Sequence, residues 1–324
     1  MLRYLAGRLL QGATIVFAVV TFTFLLLQLA EGDAVDAMAA EERIPAEIAE
    51  QIREKFGLSR SLPERYARYI WSVAHGDLGH SYHLPFPVWS AIKQRIPATL
   101  ALALAALLID FTLGMTLGVV QGIRFRTGTD DVLSLITLTL FSIPVFWLGL
   151  MLVLVFALGL GWLPPGGIDT PWYPDQLPYW TLFLDHARHL ILPATTLGLI
   201  GAASTARFQR TAMIEAVKQE FVRTARAKGL PENLVVLRHA LRNALLPTIT
   251  LFGLSFPVLL SGAVMVEEVF SWPGLGRLAV DAFRNRDYPL VTGTAIVVAV
   301  MVVLGNIIAD LLYQFADPRT RQES

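Results

Sequence analysis

ARFQRTAMIEAVKQEFVRTARAKGLPENLVVLRHALRNALLP, residues 206–247, is a basic, polar run set between two apolar segments in the C-terminal third of the chain. Ile214, Val217, Phe221 and Ala225 recur in it at helical spacing, while Lys218, Arg223, Arg226 and Lys228 take other directions, which predicts a short amphipathic helix. Gly229 and Pro231 stop that helix. A second helical run sets Leu234, Val235, Leu237 and Leu241 against Arg238 and Arg242, until Pro247 reopens an apolar stretch. The pattern is a helix, a turn and a helix held between two membrane spans.

Composition explains the apolar flanks. With 54% hydrophobic and 16% charged residues the chain is far more apolar than a soluble domain, and reads as an all-α integral membrane protein. Its 26 basic and 26 acidic residues cancel, so charge gives no argument for nucleic acid or an acidic partner. The absence of cysteine removes disulfides, thiolate metal sites and thiol catalysis together.

Outward from the basic run, six spans are expected. Arg8 and Glu31 bracket the first, Leu9 to about Leu29, long enough to cross a bilayer and longer than a cleaved signal peptide needs, so residues 1–30 read as an anchor. Residues 31–95 turn polar and read as a small helical insert outside the membrane. One helix opens at Pro45 and ends at Gly57, a second opens at Pro63 with Tyr66, Ile70 and Val73 on one face, and HGDLGHSYHLPFP breaks the pattern. His75, His80 and His83 in that break could be metal ligands, but without a rigid scaffold or acidic partner they read as loop histidines. The second span, Ala98 to about Gly122, contains Asp110, which needs a polar partner or a cavity. Its Gly114, Gly118 and Gly122, at four-residue steps, predict close approach of another helix. The third runs from Val132 to about Trp162 with a bend at Pro144, and WLPPGGIDTPWYPDQLPYW follows as an outer, interfacial loop. His186 and His189, read as having no carboxylate nearby, precede the fourth span, Leu190 to Ala206, and suit the interface better than a metal. The fifth, Ala244 to Val266, ends in Glu267, Glu268 and a turn at SWPGLG. The sixth, Leu290 to Ala316, carries Asn306 and Asp310, the latter placed to snorkel or to pair with Arg319.

EFVRTARAKGL (220–230) followed by RHALRNALLP (238–247) resembles the signature of ABC importer permeases of the dipeptide and oligopeptide (peptide/nickel) branch, inner-membrane components of binding-protein-dependent transport systems. The wider family's Glu-Ala-Ala, three residues, Gly falls on Arg223, Thr224, Ala225 and Gly229. Arg for Glu and Thr for Ala match the peptide branch, as do HGDLGHS, VEEVFSWPGLG, RDYP and the closing DPR. The resemblance implies a type I ABC importer permease fold, with a five-span core over 96–316, a cytoplasmic coupling loop at 207–243 and a cytoplasmic tail at 317–324. It implies that Arg223, Thr224, Ala225 and Gly229 seat a coupling helix on an ATPase. It also implies partners: a second homologous permease as heterodimer, two ABC ATPase subunits, an extracytoplasmic solute-binding protein and membrane lipid. Peptides are the implied cargo, with glutathione, nickel complexes or other small solutes as alternatives for the same machine.

Charge placement agrees with that topology. An N-terminus inside puts Arg3, Arg8, Arg124, Arg126, the basic residues from Arg207 to Arg242, Arg319 and Arg321 in the cytoplasm of a bacterial cell, with both termini there, against Arg188, Arg277, Arg284 and Arg286 on short outer connections. The basic helix could instead lie on anionic headgroups. None of the four lysines follows a glycine, so a phosphate-cradling GK[ST] loop is absent, and ATP hydrolysis, with any cofactor for it, is expected elsewhere. An ion-coupled secondary transporter using Asp110 and Asp310 would need an inverted pair of broken spans that the sequence does not show, and Ser255 in GLSFP lacks the second glycine of a hydrolase elbow.

Overall fold

A chain in hydrocarbon must satisfy its backbone internally, and helices do so segment by segment. The computed structural model describes residues 2–29, 45–56, 59–171, 178–245, 248, 255 and 263–316. Among these the structure is helical, with one isolated bridge between His80 and Pro87 and no strand. The order begins α1 (Leu2–Leu29), α2 (Ala46–Phe56), α3 (Leu62–Ala74), α4 (Val88–Ile123), α5 (Gly128–Ser142) and α6 (Val145–Leu152), which runs on as a π-helical stretch, Val153–Gly159. It continues with α7 (Tyr179–Lys218), α8 (Glu220–Ala227), α9 (Glu232–Leu234, running on as π-helix Val235–Ala240), α10 (263–269), α11 (Leu275–Arg284) and α12 (Tyr288–Ala316).

Among the described residues α1, α4, α7 and α12 are long and apolar enough to span a membrane, and α5 with α6 and its π-helical extension makes a fifth span if the bent pair is counted as one. Most of the expected fifth span, Ala244 to Val266, lies outside the described residues, as do the start of the insert, Gly57, and the tail with Arg319 and Arg321.

Two spans differ from their sequence outline for physical reasons. The third is two helices meeting at 104°. Pro144 has no N–H to give, and it holds Ile143 extended at φ −76°, ψ 130°, so the expected bend is a break. The fourth is part of a 40-residue helix, Tyr179–Lys218, on the order of 60 Å at 1.5 Å per residue. Hydropathy marked the stretch that suits a bilayer, whereas the helix continues into polar sequence at both ends.

The chain forms two compact units. The first is Met1–Pro97 with Gly274–Val303, cored by Val88, Ile92, Leu275, Leu278 and Leu290. Here α3 lies on α1, with the Thr21 and Tyr66 hydroxyls 2.8 Å apart and the Phe24 ring 5.3 and 5.5 Å from those of Tyr66 and Tyr69. HGDLGHS folds onto RDYP: the Ser81 hydroxyl and the Tyr82 N–H (3.2 Å) donate to the Asp287 carboxylate, and His83 Nε2 donates to the Asn285 carbonyl at 2.6 Å.

The second unit is built around Ala98–Pro273, with Leu102, Phe111, Leu197, Val266, Phe270 and Trp272 in its core. The backbones of α4 and α7 run in contact there. A Cβ on Gly114 would lie 2.7 Å from Thr205 Cβ, one on Gly118 2.5 Å from the Ala206 carbonyl oxygen, and one on Gly122 2.4 Å from Met213 Cβ. Gly198 and Gly201 return the fit from α7, against Ile109 and Asp110. The turn expected at SWPGLG follows an anchor: Glu267 is fully buried and accepts from the Thr99 hydroxyl (2.7 Å), and Trp272 Nε1 donates to the Ala98 carbonyl (2.9 Å).

Gly118→Ala should therefore destabilise the protein by about 1–3 kcal/mol, the usual range for overpacking. A detergent thermal-unfolding series checks this, with Gly128→Ala, where a Cβ meets nothing within 4 Å, as the neutral comparison.

Candidate functional site

The basic run is a distinct elbow. At Gln219 the backbone turns extended (φ −69°, ψ 149°), ending α7 and capping α8. This replaces the single helix expected through Ile214 and Ala225. The inward face changes with it: Val222 is fully buried and Ala225 nearly so, whereas Phe221 is exposed. Val222 and Ala225 pack with Met213, Ala216, Val235, Val236 and Ala240 in one small core. In the second arm the inward residues are Val235, Val236, Ala240 and Ala244, while Leu237 is 62% exposed, because a π-helical stretch does not follow the 3.6-residue period used to assign its face.

The expected site residues divide between the two sides of α8. Arg223 and Thr224 face solvent; Arg223 Nη1 bonds Glu220 at 2.8 Å, and the Thr224 hydroxyl bonds the Glu220 carbonyl at 2.9 Å. Ala225 points into the small core. Gly229, at φ +77°, is the left-handed residue that ends the helix, its N–H bonding the Arg226 carbonyl at 2.9 Å. Arg226 closes the turn on Glu232 through two hydrogen bonds of 3.1 and 2.7 Å. The guanidinium holds the Glu232 carboxyl below its ordinary value. The pair's contribution is therefore complete above that ordinary value and is lost as pH falls through the lowered one; exposed pairs are worth about 0–1 kcal/mol.

Below the elbow is a pair that sequence reasoning missed. Arg210 Nε and Nη2 each bond an Asp130 oxygen at 2.8 Å, joining α7 to the first turn of α5, and Asp130 is 2% exposed. Asp130 also accepts the Arg126 N–H at 3.0 Å. Around the Phe125 ring stand Arg210, Arg126 and Lys218, their cationic centres 5.2, 5.3 and 5.9 Å from its centroid. Asp130 and Arg210 lie 80 residues apart, so no local spacing announces them. Arg124 and Arg126 were read only as markers of sidedness.

The other polar candidates are engaged in structure. Asp110 accepts the Thr205 hydroxyl at 2.6 Å and lies against Gly201, so it is a tie between α4 and α7. His189 is buried, its Nδ1 2.9 Å from the Asp185 carbonyl oxygen and 3.7 Å from the Asp185 carboxylate, which corrects the reading that no carboxylate was near. His186 is exposed, and His75 Nδ1 lies 2.8 Å from the Trp71 carbonyl oxygen. Among the described residues no three His, Asp or Glu side chains gather as a metal site would require.

Such a geometry belongs to a polytopic membrane protein whose buried polar groups brace its helices. Residues 114–322 match the family described as the binding-protein-dependent transport system inner membrane component, and residues 1–103 match the corresponding N-terminal family. The chain belongs to this family and is a transport permease subunit. It is 40% identical to the di/tripeptide transport system permease of Pseudomonas aeruginosa, with 100% of both chains covered. It is 36% identical to the dipeptide transport system permease of Escherichia coli, again over 100% of both, and 37% identical to an oligopeptide transport system permease of Bacillus subtilis over 98% of this chain and 99% of that one. Its fold is similar to that of a chain of the MetNI methionine ABC transporter in an inward-facing structure, with a TM-score of 0.55 and 17% identity over 72% of this chain and 100% of that one.

Arg210→Ala should cost about 3–5 kcal/mol, because it leaves Asp130 buried and unpaired. A double-mutant cycle with Asp130→Leu and Arg210→Met, read by thermal unfolding, should recover most of that loss in the double variant.

Proposed function

We propose that this permease pairs with a second homologous permease to form the path for di- or oligopeptides, delivered by an extracytoplasmic binding protein and driven by two ABC ATPase subunits. The supporting observation is alignment over essentially the whole chain with permeases whose names specify dipeptide, di/tripeptide and oligopeptide transport. In this reading the chain has six spans and both termini in the cytoplasm. The insert of residues 31–95 faces outward, and the loop 207–243 faces the ATPases.

Coupling is assigned to α8. Arg223 and Thr224 lie on its outer face for docking, Ala225 and Val222 seat it on the loop core, and Gly229 fixes the turn into α9. A push on α8 reaches α7 through that core, in which Met213 and Ala216 belong to α7. The Arg210–Asp130 pair then carries it to α5, so the helices move as linked levers. Asp110, already bonded to Thr205 inside the α4–α7 contact, serves this bracing better than proton carriage.

Gly229→Pro places a residue restricted to φ near −65° at a position held at +77°. It should insert normally in the membrane yet abolish peptide-stimulated ATP hydrolysis in the assembled complex; preserved coupling would overturn the docking role. Because the chain has no cysteine, Thr224→Cys supplies a unique label. It should react with a membrane-impermeant maleimide only in inside-out vesicles, and labelling from the outside would overturn the topology.

A further inference from the structure

Within the first unit, α1, α3 and the start of α12 enclose a cavity of about 340 Å³, inside the roughly 300–1,000 Å³ range of small-molecule sites. Its walls differ in chemistry. Phe24 and Leu27, near the C-terminal end of the membrane-length α1, make an apolar wall, Arg65, Arg68 and Tyr69 of α3 a cationic and phenolic one, and Tyr288 of α12 contributes a further ring.

The charges around it are unevenly matched. Arg60 and Arg68 share Glu64, at 3.0 and 3.3 Å. Asp77 takes the Gly79 N–H at 2.9 Å, and Glu54 is exposed. The side chain of half-buried Arg65 makes no hydrogen bond or ion pair among the described residues. Beside it on the lining, Tyr69 Oη is sealed from solvent. Its neighbour Thr292 donates its own hydroxyl to the Tyr288 and Pro289 carbonyls (2.9 and 3.1 Å), which leaves the hydroxyl oxygen to accept from the phenol.

A half-buried guanidinium with no acceptor is a donor that wants an anionic oxygen. The apolar wall at the end of a membrane helix selects an anion that carries hydrocarbon. Trp71, 69% exposed on the same α3, is the aromatic type that settles at a membrane–water boundary. We propose that this cavity holds the phosphate of an anionic phospholipid, with Arg65 on the phosphate oxygens and the first acyl carbons along Phe24 and Leu27. Arg65 does not belong to the coupling elbow, so the site is separable from transport.

The test is native mass spectrometry of the full chain, purified with the subunits that accompany it and equilibrated with phosphatidylglycerol and phosphatidylcholine in equal parts. The wild type should retain phosphatidylglycerol in preference. Arg65→Ala should lower that retention about tenfold, the scale of one lost charge-assisted hydrogen bond. Arg65→Lys should restore much of it and show that the fold survives change at this position, and Arg124→Ala should not alter it. Equal retention by wild type and Arg65→Ala would overturn the site, as would indifference between the two lipids. Displacement of phosphatidylglycerol by inorganic phosphate at millimolar concentration would overturn the lipid as the source of the anion. Peptide-stimulated ATP hydrolysis measured in parallel should persist in Arg65→Ala; lipid loss with coupling intact supports the site without bearing on the transport reading.

Discussion

The contact of the α4 and α7 backbones is the constraint on which the second unit depends. Water offers no driving force between helices inside a bilayer, so their association rests on close packing and on polar contacts. Gly114, Gly118 and Gly122 from one side, with Gly198 and Gly201 from the other, bring main chains to distances that no Cβ tolerates. The register follows from that fit. Gly122 lies against Met213, and Met213 is also a core residue of the elbow, so the last step of the glycine seam is continuous with the packing that seats α8.

Buried polar groups lock the register. Asp110 with Thr205, Glu267 with Thr99 and Asp130 with Arg210 each tie one helical segment to another, at 2.6, 2.7 and 2.8 Å. Removing a carboxylate from water is expensive, and such a group persists only where its partner is fixed. A slip of one residue along α7 would strand Asp110 and Asp130 together. The glycines supply proximity and the polar pairs supply uniqueness.

Much of this was legible in sequence, and the illegible part has a common cause. The glycine triad, the break at Pro144 and the stop at Gly229 are local signals, set by backbone chemistry within a turn or two. The break at Gln219 has no such signal, since glutamine is at home in helices; it follows from burying Val222 against Met213 and Val235, a tertiary demand. In the second arm Val235 and Leu241 pack inward as assigned, but Leu234 and Leu237 are exposed because the face follows a π-helical period. Arg210 with Asp130, and Ser81 with Asp287, are separated by 80 and 206 residues, and only the fold makes them neighbours.

The blocks that most resemble the peptide branch prove to be joints. HGDLGHS meets RDYP through Ser81 and Asp287, and the Glu267–Trp272 part of VEEVFSWPGLG is pinned by Thr99 and Ala98. The basic elbow is held by Val222 and Ala225 on its own core and braced by Arg210 beneath. These segments are constrained because several backbone and side-chain bonds must close at once, and that requirement is indifferent to what passes through the membrane. A sequence can therefore announce the machine through its joints without naming its cargo.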